Sequence, residues 1–113
     1  MKQIQVTGHL GKDAEVLKKE KSKEYFTLFF SVAHTEKFKD ASGKEISKTE
    51  WFSCFKRYKK EPNKILEILK KGTKVFVSGK PSFNIVNNNQ GVYINVNIDV
   101  NEIDFMTKSD DND

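Results

Sequence analysis

Apolar and polar positions alternate most clearly in two segments, residues 25–34 and 49–58. Because successive side chains of a β-strand point to opposite faces, the alternation predicts two strands, each with one face toward a core. The inward positions of these two segments are Phe26, Leu28, Phe30, Val32, Phe52 and Cys54. If the strands pair, one outward surface carries Tyr25, Phe29, Trp51, Phe55 and Arg57.

Two interpretations of this outward surface follow from the pattern. Aromatic rings among basic residues suit an unpaired nucleic-acid strand, because rings stack on bases and cations neutralise phosphates. Aromatic residues also pack well on any pleated surface, so the surface is alternatively a second buried side of the sheet or a subunit interface. Periodicity alone does not separate these interpretations.

The N-terminal part predicts one bent strand. Residues 2–9 alternate, and Gly8 and Gly11 then indicate a sharp bend or bulge, after which the strand resumes at residues 14–17. The polar segment 18–24 is the predicted hairpin loop that leads into residue 25.

Residues 35–48 are predicted to form a charged loop that turns at Gly43. Phe38 lies alone in this loop. It either folds back onto the sheet or is offered to a ligand, and the frequent use of loops beside rigid sheets for binding favours the ligand. The loop also carries four lysines: Lys37, Lys39, Lys44 and Lys48.

Residues 59–72 are the predicted helix, with Pro62 in its first turn and Gly72 at its C-terminal cap. An apolar stripe runs along it: Ile65, Leu66, Ile68 and Leu69. We expect this short helix to plug one end of a barrel.

The C-terminal part predicts two more strands. The first runs through residues 73–79 and continues at 82–86, with an edge or bend at Pro81. Residues 87–91 are a strong hairpin signal. The last strand alternates regularly, with Val92, Ile94, Val96, Ile98 and Val100 on one face. The apolar phase then shifts to Ile103 and Phe105, as a bulge produces.

The order is three strands, one helix and two strands. Glycine-bent strands with a helix between the third and fourth predict an all-β fold, a five-stranded barrel of the oligonucleotide/oligosaccharide-binding type, or OB-fold. That fold binds along its second and third strands, here residues 25–34 and 49–58. We expect residues 1–106 to form this domain. Residues 107–113 carry no apolar side chain, so we expect them to form a short acidic disordered tail.

Composition narrows the class of protein. A chain of 113 residues supports one modest core. No apolar run approaches a membrane span and no signal peptide precedes the first strand, so we expect a cytoplasmic protein. Cys54, the single cysteine, is expected to be a small core residue.

The net charge of +4 is unevenly distributed. Residues 102–113 carry −4, which leaves +8 on the rest of the chain. A basic body indicates a polyanion-binding domain, although a lysine-rich solvated surface has the same composition. Every cation except Arg57 is a lysine, and lysine lacks the bidentate geometry that reads guanine. Any nucleic-acid binding is therefore expected to be independent of sequence.

Four stretches resemble the bacterial-type single-stranded DNA-binding protein family. They are GHLGKDAEV at 8–16, FKDASGKE at 38–45, TEWF at 49–52 and LKKGTKVFVSG at 69–79. The resemblance implies sequence-independent binding and protection of single-stranded DNA during replication, recombination or repair. It also implies a nucleoid-associated location and a homotetramer, or a dimer, for which Phe76, Phe52 and the polar face of residues 2–9 are the expected subunit contacts.

The resemblance also implies site residues. The family's stacking tryptophan falls on Trp51 and its loop aromatic on Phe38. A third aromatic falls on Arg57, which stacks on bases through cation–π contact, and a fourth falls near Val86. The predicted base-stacking residues, with the nearest replacements for the last two, are Trp51, Phe38, Phe55, Tyr25, Phe29, Arg57, Tyr58 and Phe83. The predicted phosphate contacts are Lys12, Lys37, Lys39, Lys44, Lys48, Lys56, Arg57 and Lys80.

The tail departs from the pattern of the family. The family usually ends in an acidic tip closed by Pro-Phe that recruits partner enzymes, but residues 108–113 keep the acidity without that anchor. An interaction tail and a solvated end both fit this tail.

An OB-fold module for RNA or for replication restart is the alternative function. We predict no enzyme, cofactor or metal, because no triad, phosphate loop or ligand spacing is present, and His9 and His34 are expected to be structural.

Overall fold

The computed structural model describes residues 1–17 and 25–106. The predicted hairpin loop at 18–24 and the predicted tail at 107–113 lie outside the described residues. Within the described ranges, the chain forms six strands and one short helix. They are β1 Ile4–Leu10, β2 Glu15–Val16, β3 Phe26–Lys39, β4 Glu45–Tyr58, α1 Asn63–Ile68, β5 Lys74–Asn88 and β6 Gly91–Phe105.

The five long strands close into a barrel. The sheet order is β1-β5-β6-β4-β3-β2, and β1 pairs again with β3 at His9↔Ala33 and Leu10↔Val32. Strands β4 and β6 run parallel, and the other pairs are antiparallel. The predicted five-stranded OB-fold is therefore confirmed. The predicted first strand is divided into β1 and β2. The helix predicted between the third and fourth strands is therefore α1, between β4 and β5.

The barrel interior is filled by alternate side chains of the strands, as the alternation predicts. The fully buried side chains include Leu28, Phe30, Val32, Cys54, Leu69, Val75, Val77 and Ile98. Burial raises the pKa of the Cys54 thiol to about 12, so the thiol stays protonated at neutral pH. Cys54 is thus the small core residue that the sequence predicts.

The helix is shorter than the predicted span of residues 59–72. Residues before a proline disfavour helical backbone, so Pro62 keeps residues 59–61 outside the helix. At the other end the Leu69 N–H still donates to the Ile65 carbonyl at 2.9 Å, but Gly72 has a φ of +89° and turns the chain away. The helical repeat therefore ends at Ile68.

The helix nevertheless closes one end of the barrel as expected. Leu69, directly after α1, is fully buried in the core, and Ile65 and Leu66 pack against the same cluster. Ile68, the remaining residue of the predicted stripe, is exposed instead. Only one side of this short helix packs against the barrel, and Ile68 lies outside that contact surface.

The predicted loop at residues 35–48 is wrong. Strands β3 and β4 stay paired through this region up to Lys39↔Glu45, and only the short turn between them is unpaired. We call residues 35–49 the β3–β4 arm. The prediction failed because the arm projects beyond the barrel, where no core demands an apolar face, so its strands lack the alternation that marks a half-buried strand.

The turn of the arm is organised by Asp40. Its Oδ1 accepts hydrogen bonds from the Ser42 hydroxyl at 2.7 Å, the Ser42 N–H at 2.9 Å and the Lys44 N–H at 3.0 Å. The Ser42 hydroxyl and then the Lys44 N–H hold the pKa of Asp40 below its usual value. Gly43 has a φ of +84°, which confirms it as the turn residue.

Strands β5 and β6 form a second projection. Strand β5 runs continuously through Pro81, just past Gly79, where its pairing with β1 ends. The register shifts by one residue between Ser78/Glu102 and Gly79/Val100, which confirms the predicted bulge. We call residues 81–98 the β5–β6 hairpin.

The apolar face of β6 is buried along only part of the strand. Ile98 and Val100 are buried, but Val92 and Ile94 are 66% and 63% exposed. The alternation does continue along the strand, and Ile94 lies opposite Ile85. These side chains are exposed because the hairpin extends past the end of the barrel and no other described element covers it.

Candidate nucleic-acid interface

A transverse row of side chains crosses the outer side of the barrel. The strand registers align Phe29 with Phe55, Phe55 with Asp99 and Asp99 with Lys80, while Glu15 lies opposite Phe29 on the other flank. The Phe29 and Phe55 rings are 5.1 Å apart, tilted by 42°. This separation is typical of a favourable aromatic pair. The row thus has two rings at its centre and charged groups at both ends.

Trp51 lies on the same side of β4, four residues before Phe55, or about 13 Å along the strand. Between the two rings, Ser31 and Ser53 face each other across the strands, and their small side chains leave a depression in the surface. Trp51 is 56% exposed. We call the outward side formed by Phe29, Trp51, Phe55 and Arg57 the aromatic face.

Two cavities open on the aromatic face, one on each side of the phenylalanine pair. The first has a volume of about 410 Å³ and lies between Trp51 and Phe29, with Gly11, Lys12 and Glu15 on its rim. The second has a volume of about 370 Å³ and contains Phe55 and Arg57. The face therefore offers aromatic walls beside open space, which is the shape that a stacked base requires.

Arg57 is held loosely at its end of the face. Its Nη2 atom is 4.0 Å from Asp99 Oδ2, and more than 60% of each side chain is exposed. Exposed pairs of this kind contribute little to stability. The guanidinium is therefore free to leave Asp99 and contact a ligand.

The structure brings several predicted lysines to this side of the molecule. Lys12 lies exposed at the mouth of the larger cavity, and Lys80 lies beside Asp99. On the arm, Lys37 and Lys39 share the strand side of Trp51, since they are separated from Ala33, its partner, by an even number of residues. Lys44 lies in the arm turn.

Phe38 and Lys48 lie on the opposite side of the arm from Trp51. Phe38 pairs with Ile46 and Lys48 with Glu36, which are the alternate positions of the two strands. Phe38 is 48% exposed, so it is available to a ligand, although from a strand and not from a loop.

Lys56 and Tyr58 do not belong to the aromatic face. Both occupy inward positions of β4, and the Lys56 ammonium lies 5.5 Å from the Tyr58 ring centre and donates to the Asn101 carbonyl at 3.2 Å. Burial raises the pKa of Tyr58. The placement of these two residues among the DNA contacts is therefore not supported by the geometry.

Tyr25 and Phe83 lie at the margins. Tyr25 immediately precedes β3 and is 42% exposed. Phe83 is 59% exposed, but it pairs with Val96 on the β5–β6 hairpin, on the same side as Ile85. Phe83 therefore shares a surface with other apolar side chains and not with Trp51.

Sequence reasoning missed three components of the site. Glu15 and Asp99 flank the rings, and Gly11 lies beside Trp51. The signals were present but ambiguous, because Gly11 indicated only a bend, and an acidic residue in a strand has no preferred partner until the registers are known.

The part of the chain that the structure describes contains no group of three or more histidine, cysteine or acidic side chains able to hold a metal ion. None of its helices has the length and apolar character needed to cross a membrane.

Comparisons with known proteins agree with this geometry. A family model described as "Single-strand binding protein family" matches residues 1–106. The Plasmodium falciparum SSB in complex with ssDNA superimposes with a TM-score of 0.71 at 22% identity, over 95% of this chain and 96% of that one. The small single-stranded DNA-binding protein from Streptomyces coelicolor gives a TM-score of 0.70 at 15% identity, over 95% of both chains. No curated protein sequence matches significantly.

Proposed function

Because this chain belongs to the single-strand binding protein family, a non-enzymatic family, and binds single-stranded DNA, we propose that the aromatic face is its DNA-binding surface. The observation that carries the proposal is the exposed Trp51 ring beside the Phe29–Phe55 pair, with a cavity between them. Each base stacked on such a ring contributes about 1–3 kcal/mol.

The strand would cross the face with its bases toward the rings and its phosphates toward the surrounding cations. Glu15 and Asp99, on either side of the two rings, disfavour phosphates close to the rings and accept hydrogen bonds from base amino groups. The cations that would neutralise phosphates lie on the face, beside it and on the arm: Arg57, Lys12, Lys80, Lys37, Lys39, Lys44 and Lys48.

Binding of this type depends little on sequence, because every base has a ring face to stack. Duplex DNA offers the phosphates but hides the base faces, so the proposed surface prefers the single strand. The processes served would be those that expose single strands in the nucleoid, namely replication, recombination and repair.

Titration of the intrinsic Trp51 fluorescence with oligo-dT tests the proposed surface. We expect quenching on binding, an affinity that falls steeply with salt as counterions are driven back, and a loss of about 1–3 kcal/mol in Trp51→Ala measured with labelled oligo-dT. Lys64→Ala, which removes an exposed lysine on α1, serves as the control. Unquenched fluorescence, or equal affinity for single-stranded and duplex DNA, would contradict the proposal.

We further propose that the chain assembles as a homo-oligomer through the β5–β6 hairpin. Phe83, Ile85, Val92 and Ile94 lie on one side of the hairpin and are each at least 59% exposed. Residues 81–98 contain no charged side chain, although 32% of the whole chain is charged. A neutral apolar surface of this kind is typical of an interface between subunits and does not suit a polyanion.

The expected subunit contacts change accordingly. Phe76, on the outer side of β5, is partly exposed and remains an expected contact, but Phe52 packs against the core. The hairpin takes the place of Phe52 in the proposed interface.

A further inference from the structure

The six glycines of the chain are present for different physical reasons. Gly43, Gly72 and Gly91 have positive φ and open space around the missing Cβ. Gly8 and Gly79 face the backbone of a neighbouring strand, which a side chain would strike. Gly11 belongs to neither group, because its φ is not positive and the atoms nearest to its missing side chain belong to the ring of Trp51.

The fit between Gly11 and Trp51 is close. A Cβ atom on Gly11 would lie 2.6 Å from Cζ3 and 2.7 Å from Cη2 of the indole, both on the outer edge of the six-membered ring. These distances are well inside van der Waals contact. The edge of the indole therefore occupies the volume that any other residue at position 11 would fill.

The two residues come from separate elements. Trp51 lies on β4, and Gly11 follows β1, where its N–H donates to the Ser31 carbonyl on β3 at 3.3 Å. The indole thus reaches across β3, past the small side chain of Ala33, to the chain after β1. Both residues line the cavity that separates Trp51 from Phe29.

We propose that Gly11 is a positioning residue for Trp51. The missing side chain lets the indole lie across β3 as one wall of the base-binding cavity, with its face available for stacking. The inference rests on the proposed stacking role of Trp51 and adds what determines the orientation of the ring.

Alanine at position 11 tests the effect of filling the space beside Trp51, without adding backbone strain. Because the φ of Gly11 is one that L-residues adopt, the added methyl meets only the far end of a side chain that can rotate away. We therefore expect Gly11→Ala to fold and to displace the indole. The emission maximum and near-ultraviolet circular dichroism of Trp51, the single tryptophan, should change in the free protein.

A double-mutant cycle separates positioning from a general structural role. Phenylalanine at position 51 lacks the outer indole ring that meets position 11. We expect Gly11→Ala to weaken binding of labelled oligo-dT about fivefold or more when Trp51 is present. In the Trp51→Phe background, the same substitution should change affinity by less than about twofold.

Gly72→Ala is the matched control, because it adds the same methyl group to a glycine with nothing within 4 Å. Its φ of +89° makes this variant less stable, but Trp51 emission and oligo-dT affinity should stay as in the wild type. Any loss caused by reduced stability alone would therefore appear in this variant.

Three results would overturn the inference. They are an equal loss of affinity in both backgrounds of the cycle, unchanged emission in Gly11→Ala, and changed emission with unchanged affinity. Failure of the proposed DNA-binding surface looks different, because Trp51→Ala itself would then bind oligo-dT as the wild type does.

Discussion

Two ribbons of paired strands project from the same barrel, and they differ in chemistry. The β3–β4 arm carries seven charged residues between positions 36 and 48, four of them lysines. The β5–β6 hairpin carries none between positions 81 and 98. The same backbone architecture therefore presents one surface suited to a polyanion and one suited to an apolar partner.

The acidic residues of the arm are more engaged than its lysines. Asp40 accepts three hydrogen bonds within the turn, and Glu36 Oε1 lies 3.2 Å from the Nε2 atom of His34. The nearly balanced formal charge of the arm thus conceals cations that remain available to phosphates. Composition along the sequence does not distinguish a charged group that is held in a hydrogen bond from one that remains available to a ligand.

Charge placed on the apolar side of the hairpin should have the largest effect. Ile85→Asp with Ile94→Asp puts two carboxylates on cross-strand partners, where association would bury them without a counter-charge. We expect the variant to sediment as a monomer at micromolar concentration while the wild type sediments as an oligomer.

Asn84→Asp with Asn95→Asp is the matched control, because this cross-strand pair lies on the other side of the hairpin. It adds the same charges and should keep the assembly of the wild type. A monomeric wild type, or equal dissociation of the two variants, would exclude the hairpin as the interface.

Removal of the arm lysines should have the next largest effect. Glutamine at positions 37, 39, 44 and 48 removes up to four phosphate contacts. We expect the slope of log affinity against log salt to become shallower by as much as about 3, and affinity at low salt to fall about tenfold or more.

Glutamine at Lys2, Lys60, Lys64 and Lys74, all exposed and away from the arm, is the control with the same change in net charge. If both quadruple variants lost the same affinity and the same slope, the arm would contribute only its share of the overall charge.

The two exposed phenylalanines of the projections should respond differently to truncation. Phe38→Ala on the arm removes one ring available to a base and should cost about 1 kcal/mol of oligo-dT binding. Phe83→Ala on the hairpin should leave DNA affinity within about twofold and weaken self-association. A larger loss of DNA binding in Phe83→Ala than in Phe38→Ala would restore Phe83 to the stacking residues.

The smallest expected effect is a pH dependence at the base of the arm. His34 donates through Nδ1 to the Thr7 carbonyl at 2.7 Å, and with the nearby Glu36 and Glu50 carboxylates this raises its pKa above 6.5. Because the folded state binds the proton more tightly, the stabilisation is complete below pH 6.5 and is lost as pH rises through the raised pKa.

Denaturation midpoints at pH 6 and at about pH 8.5 measure this effect. His34→Gln should flatten the dependence, and His9→Gln is the control at the other histidine. Because the side chain is 32% exposed, solvent screening keeps the effect small. If the pH dependence of stability were unchanged in His34→Gln, the contact between His34 and Thr7 would be excluded as its cause.

Much of the barrel could be predicted from local patterns. Alternation correctly placed Leu28, Phe30 and Val32 in the core, and the phase shift after Asn101 correctly indicated a bulge. These features are encoded locally, because a strand with one buried face must alternate. The outward grouping of Phe29, Trp51 and Phe55 followed from the same rule.

The projections could not be predicted in this way. The arm lacks alternation because its strands lie beyond the core, so its sequence predicts a loop. Along β6, alternation continues past the core to the exposed Ile94, so the pattern does not show where the barrel ends. Alternation along β4 already puts Lys56 and Tyr58 on the side opposite Arg57, so their inclusion among the predicted DNA contacts did not follow from this rule.

By itself, the sequence determined the barrel portions of the strands, the barrel class and the identity of the exposed rings, because side-chain periodicity and residue type are local properties. The tertiary structure alone decided where the barrel ends along each strand, and hence which alternating side chains are covered and which project into solvent. It also decided that Gly11 lies under the edge of Trp51. Such contacts join residues 40 positions apart, and they exist only after closure of the barrel brings β1, β3 and β4 together.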